Sequence, residues 1–168
     1  MRIFWKHGVK RMLVLFVLGL VMAGAVTAMA ATEFSPKIKN AMVAMKENAA
    51  KLGVSKIDGS SLFFGTTKIN DNFEIVDSLK SKFGCTATFF VKKGDAFVRI
   101  STNVMKDGKR AIGTPLDPSG PAIAAIRQGK VYYGIVDILG KLYDTGYEPI
   151  KTAKGEVIGV YYIGYPVE

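Results

Sequence analysis

The strongest constraint on the fold is a series of strand-like segments in the second half of the chain, separated by short turns that contain glycine. The segments lie at about residues 85–93, 96–104, 130–139, 141–150 and 156–165. Tight turns join several of these neighbours, at Gly94-Asp95, Gly140-Lys141 and Lys154-Gly155. Turns this short connect antiparallel strands, because parallel strands need a long crossover connection. The sequence therefore predicts a five-stranded antiparallel sheet from residue 85 to residue 165.

A long helix is predicted before the sheet, over about residues 36–52. Pro36 suits the first helical position, and Gly53 suits a residue just past the helix end. Apolar side chains recur every three or four positions along the segment: Ile38, Ala41 or Met42, Met45, Ala49 and Leu52. This spacing gives a narrow apolar seam on one side of a helix, so we expect the helix to pack that side against other elements.

Two shorter helices complete the predicted α+β fold. One is expected at about residues 72–83, where Asp71 and Glu74 have the spacing of a capping box. The other begins at Pro121, after the proline-containing loop 111–120. Residues 54–61 are predicted to be a connection that leads into a short extended segment.

The N-terminal segment has the three parts of a secretory signal peptide. Residues 1–11 carry four basic and no acidic side chains, residues 12–26 are uninterrupted apolar sequence, and Ala28 and Ala30 form a small-residue cleavage pattern. The apolar run is shorter than the roughly 20 residues that span a bilayer. We expect cleavage after Ala30, so that residues 31–168 form one periplasmic domain. The alternative is an uncleaved signal that anchors the chain to the inner membrane.

The composition of residues 31–168 excludes several classes of active site. The single histidine (His7) and single tryptophan (Trp5) lie in the signal segment, and Cys85 is the only cysteine. Cysteine–histidine dyads, serine–histidine–aspartate triads and histidine-based zinc sites are therefore impossible in the exported part. No enzyme activity, cofactor or metal is predicted, and we expect Cys85 to be a small buried hydrophobic residue.

The charge pattern gives no indication of a nucleic-acid partner. Removal of residues 1–30 takes away four of the 23 basic residues and none of the 14 acidic ones, so the net charge falls from +9 to about +5. The remaining basic residues are spread along the chain and form no continuous stripe. A modest positive surplus is compatible with small anions as ligands.

Three stretches resemble the single Cache domain, and more narrowly the Cache 3/Cache 2 fusion group. They are "TATFFVKKGDAFVRISTNVMKDGKRAIGTPLD", "GPAIAAIRQGKVYYGIVDILGKLYDTGYEPI" and "GEVIGVYYIGYP". The resemblance covers about residues 62–167. It implies a PAS-like five-stranded antiparallel sheet, with the long N-terminal helix packed on one face, that binds a small ligand outside the membrane.

Members of the family usually lie between two membrane spans of a chemoreceptor, kinase or cyclase. This chain ends after the last strand, so we expect it to signal through a separate membrane partner.

The candidate ligand site is one face of the predicted sheet. Strict alternation places Arg99 and Ser101 on the same face of the second strand, and a buried arginine needs an anion to compensate its charge. An arginine can hold a carboxylate by two parallel hydrogen bonds, and tyrosine hydroxyls can donate to the same oxygens. The predicted ligand-binding residues are Arg99, Ser101, Tyr133, Tyr143, Thr145 and Tyr147.

Structural explanations of the same residues remain open at this point. Arg99 could form a bridge with Asp137 or Asp144 while the tyrosines only pack, and Lys109 with Arg110 could be a second anion site or simply solvated charges. The preferred hypothesis is a periplasmic sensory module for a short-chain carboxylate, in which capture orders the loop 111–120. The alternatives are an adaptor with a vestigial pocket and, less favoured, a hydrolase that uses Asp137 and a tyrosine. A homodimer through the N-terminal helix is a further expectation.

Overall fold

The computed structural model describes residues 35–167, so the predicted signal peptide and its cleavage site lie outside the described residues. The helices in this range are α1 (Ser35–Leu52), α2 (Glu74–Phe83) and α3 (Pro121–Arg127). The strands are β1 (Ser55–Asp58), β2 (Ser61–Phe64), β3 (Thr67–Lys68), β4 (Thr86–Lys93), β5 (Ala96–Thr102), β6 (Met105–Lys106), β7 (Lys109–Arg110), β8 (Tyr132–Ile138), β9 (Lys141–Lys151) and β10 (Val157–Pro166). None of these helices is long and apolar enough to cross a membrane.

The central element is a five-stranded antiparallel sheet in the order β5-β4-β10-β9-β8. The prediction of its five strands, its antiparallel pairing and the preceding long helix is confirmed. The last strand, β10, lies in the middle of the sheet and pairs with β4 on one side and β9 on the other. The edge strands are β5 and β8.

Both faces of the sheet are covered, and each has its own hydrophobic core. The α1 face carries Phe89, Tyr161 and Ile163, which pack against α1, α2 and the small β1–β3 sheet. The opposite face, called the α3 face below, carries Phe90 and Tyr162, which pack with α3 and the loop before it. Alternation along each strand sends neighbouring side chains into different cores.

The helix α1 packs by the apolar seam predicted from its sequence. The buried residues on α1 are Ile38, Ala41, Met42, Met45 and Ala49. Leu52, the last member of the predicted seam, is 37% exposed. Gly146 on β9 allows the helix to approach the sheet closely, because a Cβ at this position would lie 2.7 Å from Ile38 Cγ2.

Local structure differs from the prediction at two points. Residues 54–61, predicted to be a connection, contain strand β1, which pairs with β2. The capping box at the start of α2 is wrong: Asp71 has a left-handed backbone (φ 59°), and the Asn72 side chain accepts the hydrogen bond from the Glu74 amide instead. The Asn72 side chain thus satisfies an amide at the start of α2, which is the role that the predicted capping box gave to Asp71.

The end of α1 meets the β2–β3 turn at a contact between two glycines. Gly65 N donates to Val54 O at 2.9 Å, and an added Cβ on Gly53 would lie 2.7 Å from Gly65 Cα. A Cβ on Gly65 would overlap the carbonyl oxygen of Leu52. This Gly53–Gly65 contact therefore fixes how closely the small sheet can approach α1.

Cys85 is buried beside α2, as predicted for a small hydrophobic residue. Its Sγ lies 3.7 Å from Leu79 O, and burial raises the pKa of the thiol to about 11. The thiol is therefore protonated and unreactive at neutral pH.

Candidate functional site

A cavity of about 350 Å³ lies on the α3 face of the sheet. One wall is formed by residues 115–117 and the start of α3, and the other by residues 135–139 of β8 and the turn after it. Arg99 on β5 and Tyr147 on β9 also line the cavity.

The loop before α3 is attached to the edge strand β5. Gly113 N donates to Arg99 O, Arg99 N donates to Thr114 O, and Leu116 N donates to Phe97 O, at 2.8–3.0 Å. Residues 113–116 thus pair with β5 like a short additional strand. The expected ordering of the loop on ligand capture therefore does not apply to these residues, and the part without such pairing is 117–120.

Arg99 is a buried cation without an acidic partner among the residues that the structure describes. It is only 4% exposed, its Nη1 donates to Thr114 Oγ1 at 2.6 Å, and its guanidinium lies 5.0 Å from the centre of the Phe90 ring. Its Nε has no hydrogen-bond partner within the described residues. The ion pairs in this part of the chain, Lys46–Glu148 and Arg110–Asp77, do not involve it.

The electrostatics of Arg99 reflect this incomplete compensation. Burial lowers the pKa of the guanidinium, and the nearby Tyr147 and Tyr162 offset part of that effect. Arginine remains charged despite such a shift. A buried N–H without a partner costs about 1–3 kcal/mol, and more when it belongs to a charged group. An acceptor that reached this N–H would remove the cost.

Three tyrosines form a row across the α3 face, one from each of the strands β8, β9 and β10. The ring centres of Tyr132 and Tyr147 are 6.2 Å apart, and those of Tyr147 and Tyr162 are 5.0 Å apart. Burial raises the pKa of both Tyr147 and Tyr162, so their hydroxyls keep their protons and can donate hydrogen bonds. The Tyr162 hydroxyl is bonded to Thr86 Oγ1 at 3.0 Å. Tyr147 is the member that lines the cavity.

Four of the six predicted site residues lie on the α3 face. Arg99 and Tyr147 line the cavity, whereas Tyr143 and Thr145 lie on the same face outside its lining. Thr145 Oγ1 donates to the Gly134 carbonyl at 2.6 Å, so its hydroxyl is used within the sheet.

Ser101 lies on the α1 face because β5 contains a bulge. The register changes from Phe89↔Ser101 to Phe90↔Arg99, which leaves Ile100 as an extra residue between the two pairs. The prediction that Ser101 shares a face with Arg99 is therefore wrong. Ser101 Oγ donates instead to Asn72 O at 2.6 Å, on the side of α2.

Tyr133 also lies on the α1 face, and Tyr132 takes the position expected for it. Tyr132 is directly opposite Tyr147, and directly opposite residues share a face. The Tyr133 hydroxyl donates to Glu148 Oε1 at 2.6 Å, and Glu148 Oε2 pairs with Lys46 of α1 at 2.7 Å. Tyr133 therefore connects β8 to α1 and does not contact the cavity.

Neither of the two ion pairs considered for Arg99, with Asp137 or with Asp144, is present in the structure. Asp137 Oδ1 accepts from Gly140 N at 2.9 Å. Asp144 is directly opposite Tyr165, whose side chain belongs to the α1 core, so Asp144 lies across the sheet from Arg99. Neither carboxylate forms a bridge with Arg99.

The second predicted anion site is a structural contact. Arg110 makes two 2.8 Å hydrogen bonds to the Asp77 carboxylate and lies 4.1 Å from the centre of the Phe73 ring. These contacts attach the β6–β7 hairpin to α2. Lys109 is exposed on that hairpin.

Sequence reasoning missed two residues of the site, Thr114 and Asp117. Thr114 Oγ1 accepts from Arg99 and donates to Ala111 O at 2.8 Å, so it fixes one edge of the guanidinium. Asp117 Oδ1 accepts from the amide and the hydroxyl of Ser119, and these bonds lower the pKa of the carboxyl. The sequence "TPLDPSG" shows a turn but not what the turn lies against.

No cluster of metal-ligating side chains occurs between residues 35 and 167.

Comparison with known proteins identifies the family. The model of the Cache 3/Cache 2 fusion domain matches residues 24–168, which is most of the chain. The chain belongs to this family. Cache domains are extracytoplasmic sensory modules that bind small molecules, and the PAS-like sheet with its N-terminal helix is the fold found in this Cache domain. No curated protein matches the chain in sequence.

Two solved structures are similar to this Cache domain at low sequence identity. The first is the ligand-binding domain of the Campylobacter jejuni chemoreceptor Tlp3 in complex with L-valine, with 14% identity and a TM-score of 0.46. The match covers 79% of this chain and 52% of that chain, so this chain spans about half the length of the receptor domain. The second is a protein from Rhodococcus sp. RHA1 described as a transcriptional regulator, with 15% identity, 72% coverage of each chain and a TM-score of 0.42.

Proposed function

We propose that this Cache domain is the ligand-binding part of a periplasmic sensor for a small organic anion, and that the anion is a short-chain carboxylate. One observation carries the proposal: Arg99 is buried in the cavity wall with a free Nε and no acidic partner among the described residues. Natural proteins rarely retain a buried cation in this state without a use for it.

The chemistry of the cavity suits a carboxylate. A guanidinium presents parallel N–H groups that match the two oxygens of a carboxylate, and charge-assisted bonds of this kind are about twice as strong as neutral ones. Tyr147 supplies a protonated hydroxyl on the neighbouring wall. Thr114 is a positioning residue, because it holds Nη1 and so sets the plane of the guanidinium.

The dimensions favour a small ligand. A volume of about 350 Å³ is near the lower end of the roughly 300–1,000 Å³ typical of ligand pockets. Ala122, Leu116 and Val136 contribute apolar surface to the lining. A short alkyl chain next to the carboxylate group would occupy this part of the cavity.

The other functions considered for the chain have less support. An adaptor with a vestigial pocket should have Asp137 bonded to Arg99, but Asp137 accepts from Gly140 instead. A hydrolase that uses Asp137 and a tyrosine would need a base near a nucleophile. Asp137 is exposed, and no hydrogen bond joins it to a tyrosine within residues 35–167.

A thermal-shift screen of residues 31–168 tests the proposal directly. We expect small carboxylates to raise the melting temperature, whereas neutral sugars and simple amines without a carboxylate should not. A ligand at 100 times its Kd stabilises the native state by about 2.7 kcal/mol, which is several degrees for a domain of this size. A panel in which only sugars or simple amines stabilise the domain would contradict the proposal.

We also propose that residues 1–30 are removed on export and that the periplasmic domain starts at Ala31. N-terminal sequencing of the protein recovered from the periplasm should begin "ATEFS". Recovery of the chain in the membrane fraction with Met1 intact would instead indicate that the signal segment anchors it.

We propose that ligand capture alters the contact of the domain with a separate membrane protein. A homodimer through α1 remains part of the proposal, and Val43 on the outer side of that helix is 53% exposed.

A further inference from the structure

The positive charge of residues 31–168 is concentrated at one end of the central sheet. This end, called the basic end below, is formed by the segments 51–56, 92–95, 127–130 and 151–157. The four segments carry eight basic and two acidic side chains, whereas the rest of residues 31–168 carries 11 basic and 12 acidic ones. The whole net positive charge of the domain therefore comes from the basic end.

Contacts across the fold bring the four segments together. Ser55 Oγ donates to Lys151 O at 2.7 Å, and Arg127 Nη2 donates to Asp95 O at 3.0 Å. The strands β4 and β9 both flank β10, so the β4–β5 and β9–β10 turns lie side by side. A Cβ on Gly129 would lie 3.3 Å from Lys151 Nζ. Segments that are far apart in the sequence thus meet at one end of the domain.

The cations of the basic end have no acidic partners among the described residues. All eight side chains are exposed. The ion pairs within residues 35–167, Lys46–Glu148 and Arg110–Asp77, involve none of them. Like charges gathered in this way repel one another, so an anionic surface that neutralises them is favoured by charge complementarity.

Aliphatic side chains are exposed at the same end. Leu52 and Val54 lie in the first segment and are 37% and 69% exposed, and Val131, directly after the third segment, is 52% exposed. Lysine side chains are attracted to anionic headgroups, while exposed aliphatic side chains can enter the boundary of the acyl region. We propose that the basic end binds the surface of a bilayer that contains anionic phospholipids.

The composition of the basic end favours a bilayer over other anionic partners. The four segments contain no aromatic residue and only one arginine. Single-stranded nucleic acids are bound by stacking of bases on aromatic side chains, and the cores of protein–protein interfaces are enriched in aromatic residues and arginine and depleted in lysine. Lysine acts on phosphate as a point charge. A layer of lipid headgroups needs only such charges, without stacking or bidentate geometry.

Contact with a bilayer through the basic end leaves the cavity accessible. No residue of the four segments lines the cavity, and its wall on β8, residues 135–139, begins beyond the middle of that strand as counted from Lys130. Membrane binding is therefore a property separate from the function proposed for the cavity and does not rest on it.

Flotation with lipid vesicles tests the inference. Residues 31–168, which form a compact unit by themselves, are mixed with vesicles of phosphatidylcholine alone or of equal parts phosphatidylcholine and phosphatidylglycerol. We expect binding to be about tenfold or more tighter to the vesicles that contain phosphatidylglycerol, because each lysine near an anionic surface contributes about fivefold. Added salt should weaken this binding, since it screens exposed charges.

Two double variants with the same net charge separate the basic end from the charge of the whole domain. In Lys93→Gln with Lys154→Gln, we expect about 25-fold weaker binding to the anionic vesicles, from about fivefold at each position. Lys106→Gln with Lys109→Gln neutralises two exposed lysines of the β6–β7 hairpin, which follows β5 at the other end of the sheet. This control should change the affinity by no more than about twofold, because charges farther than a Debye length from the bilayer are screened.

The aliphatic contribution distinguishes a bilayer from another polyanion. Val54→Ser should weaken vesicle binding about threefold while its salt dependence stays unchanged. Absence of binding to the anionic vesicles, or equal losses in the two double variants, would overturn the inference. It would also fail if polyglutamate or duplex DNA bound as tightly as the vesicles and Val54→Ser had no effect, because the basic end would then serve a different anionic partner. None of these outcomes bears on the thermal-shift screen of the cavity.

Discussion

Arg99→Ala is expected to weaken binding of the best carboxylate ligand by on the order of 100-fold or more, because truncation of one partner in a buried charge pair costs about 2–5 kcal/mol. Calorimetry of the wild-type and variant domains with the same ligand measures the effect. Arg99→Lys should recover only part of the affinity. It retains a positive charge but loses the planar pair of donors.

The stability of the ligand-free domain distinguishes a binding role from a structural one. Arg99 has no carboxylate partner within residues 35–167, so its removal leaves no unpaired acid in this part of the chain. Arg99→Met keeps an apolar stem beside Phe90 and removes the desolvated charge, so we expect the unliganded variant to be as stable as the wild type or more stable. A variant that binds normally but unfolds far earlier would show that Arg99 is structural.

A pair of neighbouring tyrosine positions provides the control for this experiment. Tyr147→Phe removes a donor from the cavity and should weaken binding by about 1.5–3 kcal/mol. Tyr133→Phe removes a hydroxyl from the α1 face, where it donates to Glu148, and should leave the affinity unchanged. Equal effects of the two variants would place the ligand elsewhere.

Gly65→Ala is expected to lower the free energy of unfolding by about 3 kcal/mol or more. Gly65 has a φ of +59°, which costs an alanine roughly 1–2 kcal/mol. The new Cβ would also overlap the Leu52 carbonyl oxygen, a main-chain atom at the end of α1. Relief of that overlap requires the small β1–β3 sheet to move away from the helix. Urea denaturation monitored by circular dichroism measures the loss.

Gly59→Ala is the matched control for the Gly53–Gly65 contact. Gly59 has nearly the same backbone conformation (φ +56°), but apart from its chain neighbours no atom of the described residues lies within 4 Å of an added Cβ. We therefore expect only the conformational cost, about 1–2 kcal/mol. Equal losses for the two variants would mean that the close contact at Gly65 does not limit stability.

The sheet and the long helix could be predicted because their signals are local. Glycine at the β4–β5 and β8–β9 turns, and the apolar spacing from Ile38 to Ala49, depend on nearby residues alone. The strand β1 was missed because its four residues are mostly exposed and lack an apolar pattern. Its place is set by pairing with β2 and not by its own sequence.

The site was only partly predictable because its membership depends on register. Adjacent residues such as Tyr132 and Tyr133 must face opposite sides, but the sequence of β8 does not show which side holds the cavity. That choice follows from the pairing of Tyr132 with Tyr147. The bulge at Ile100 similarly separates Arg99 from Ser101, and an isoleucine in a strand gives no local signal of a bulge. Thr114 reaches Arg99 only because the loop pairs with β5.

The division of the interior into two cores bears on how such a sensor can diversify. Residues of the α3 face pack around the cavity, while those of the α1 face pack against the long helix, and the two groups are separated by the sheet backbone. Substitutions without shared partners usually have additive effects on stability. Ligand preference can therefore be altered by changes on one face without loss of the helix packing on the other. A library of variants confined to the cavity-lining positions of this domain should contain a high fraction of folded proteins with altered ligand preference.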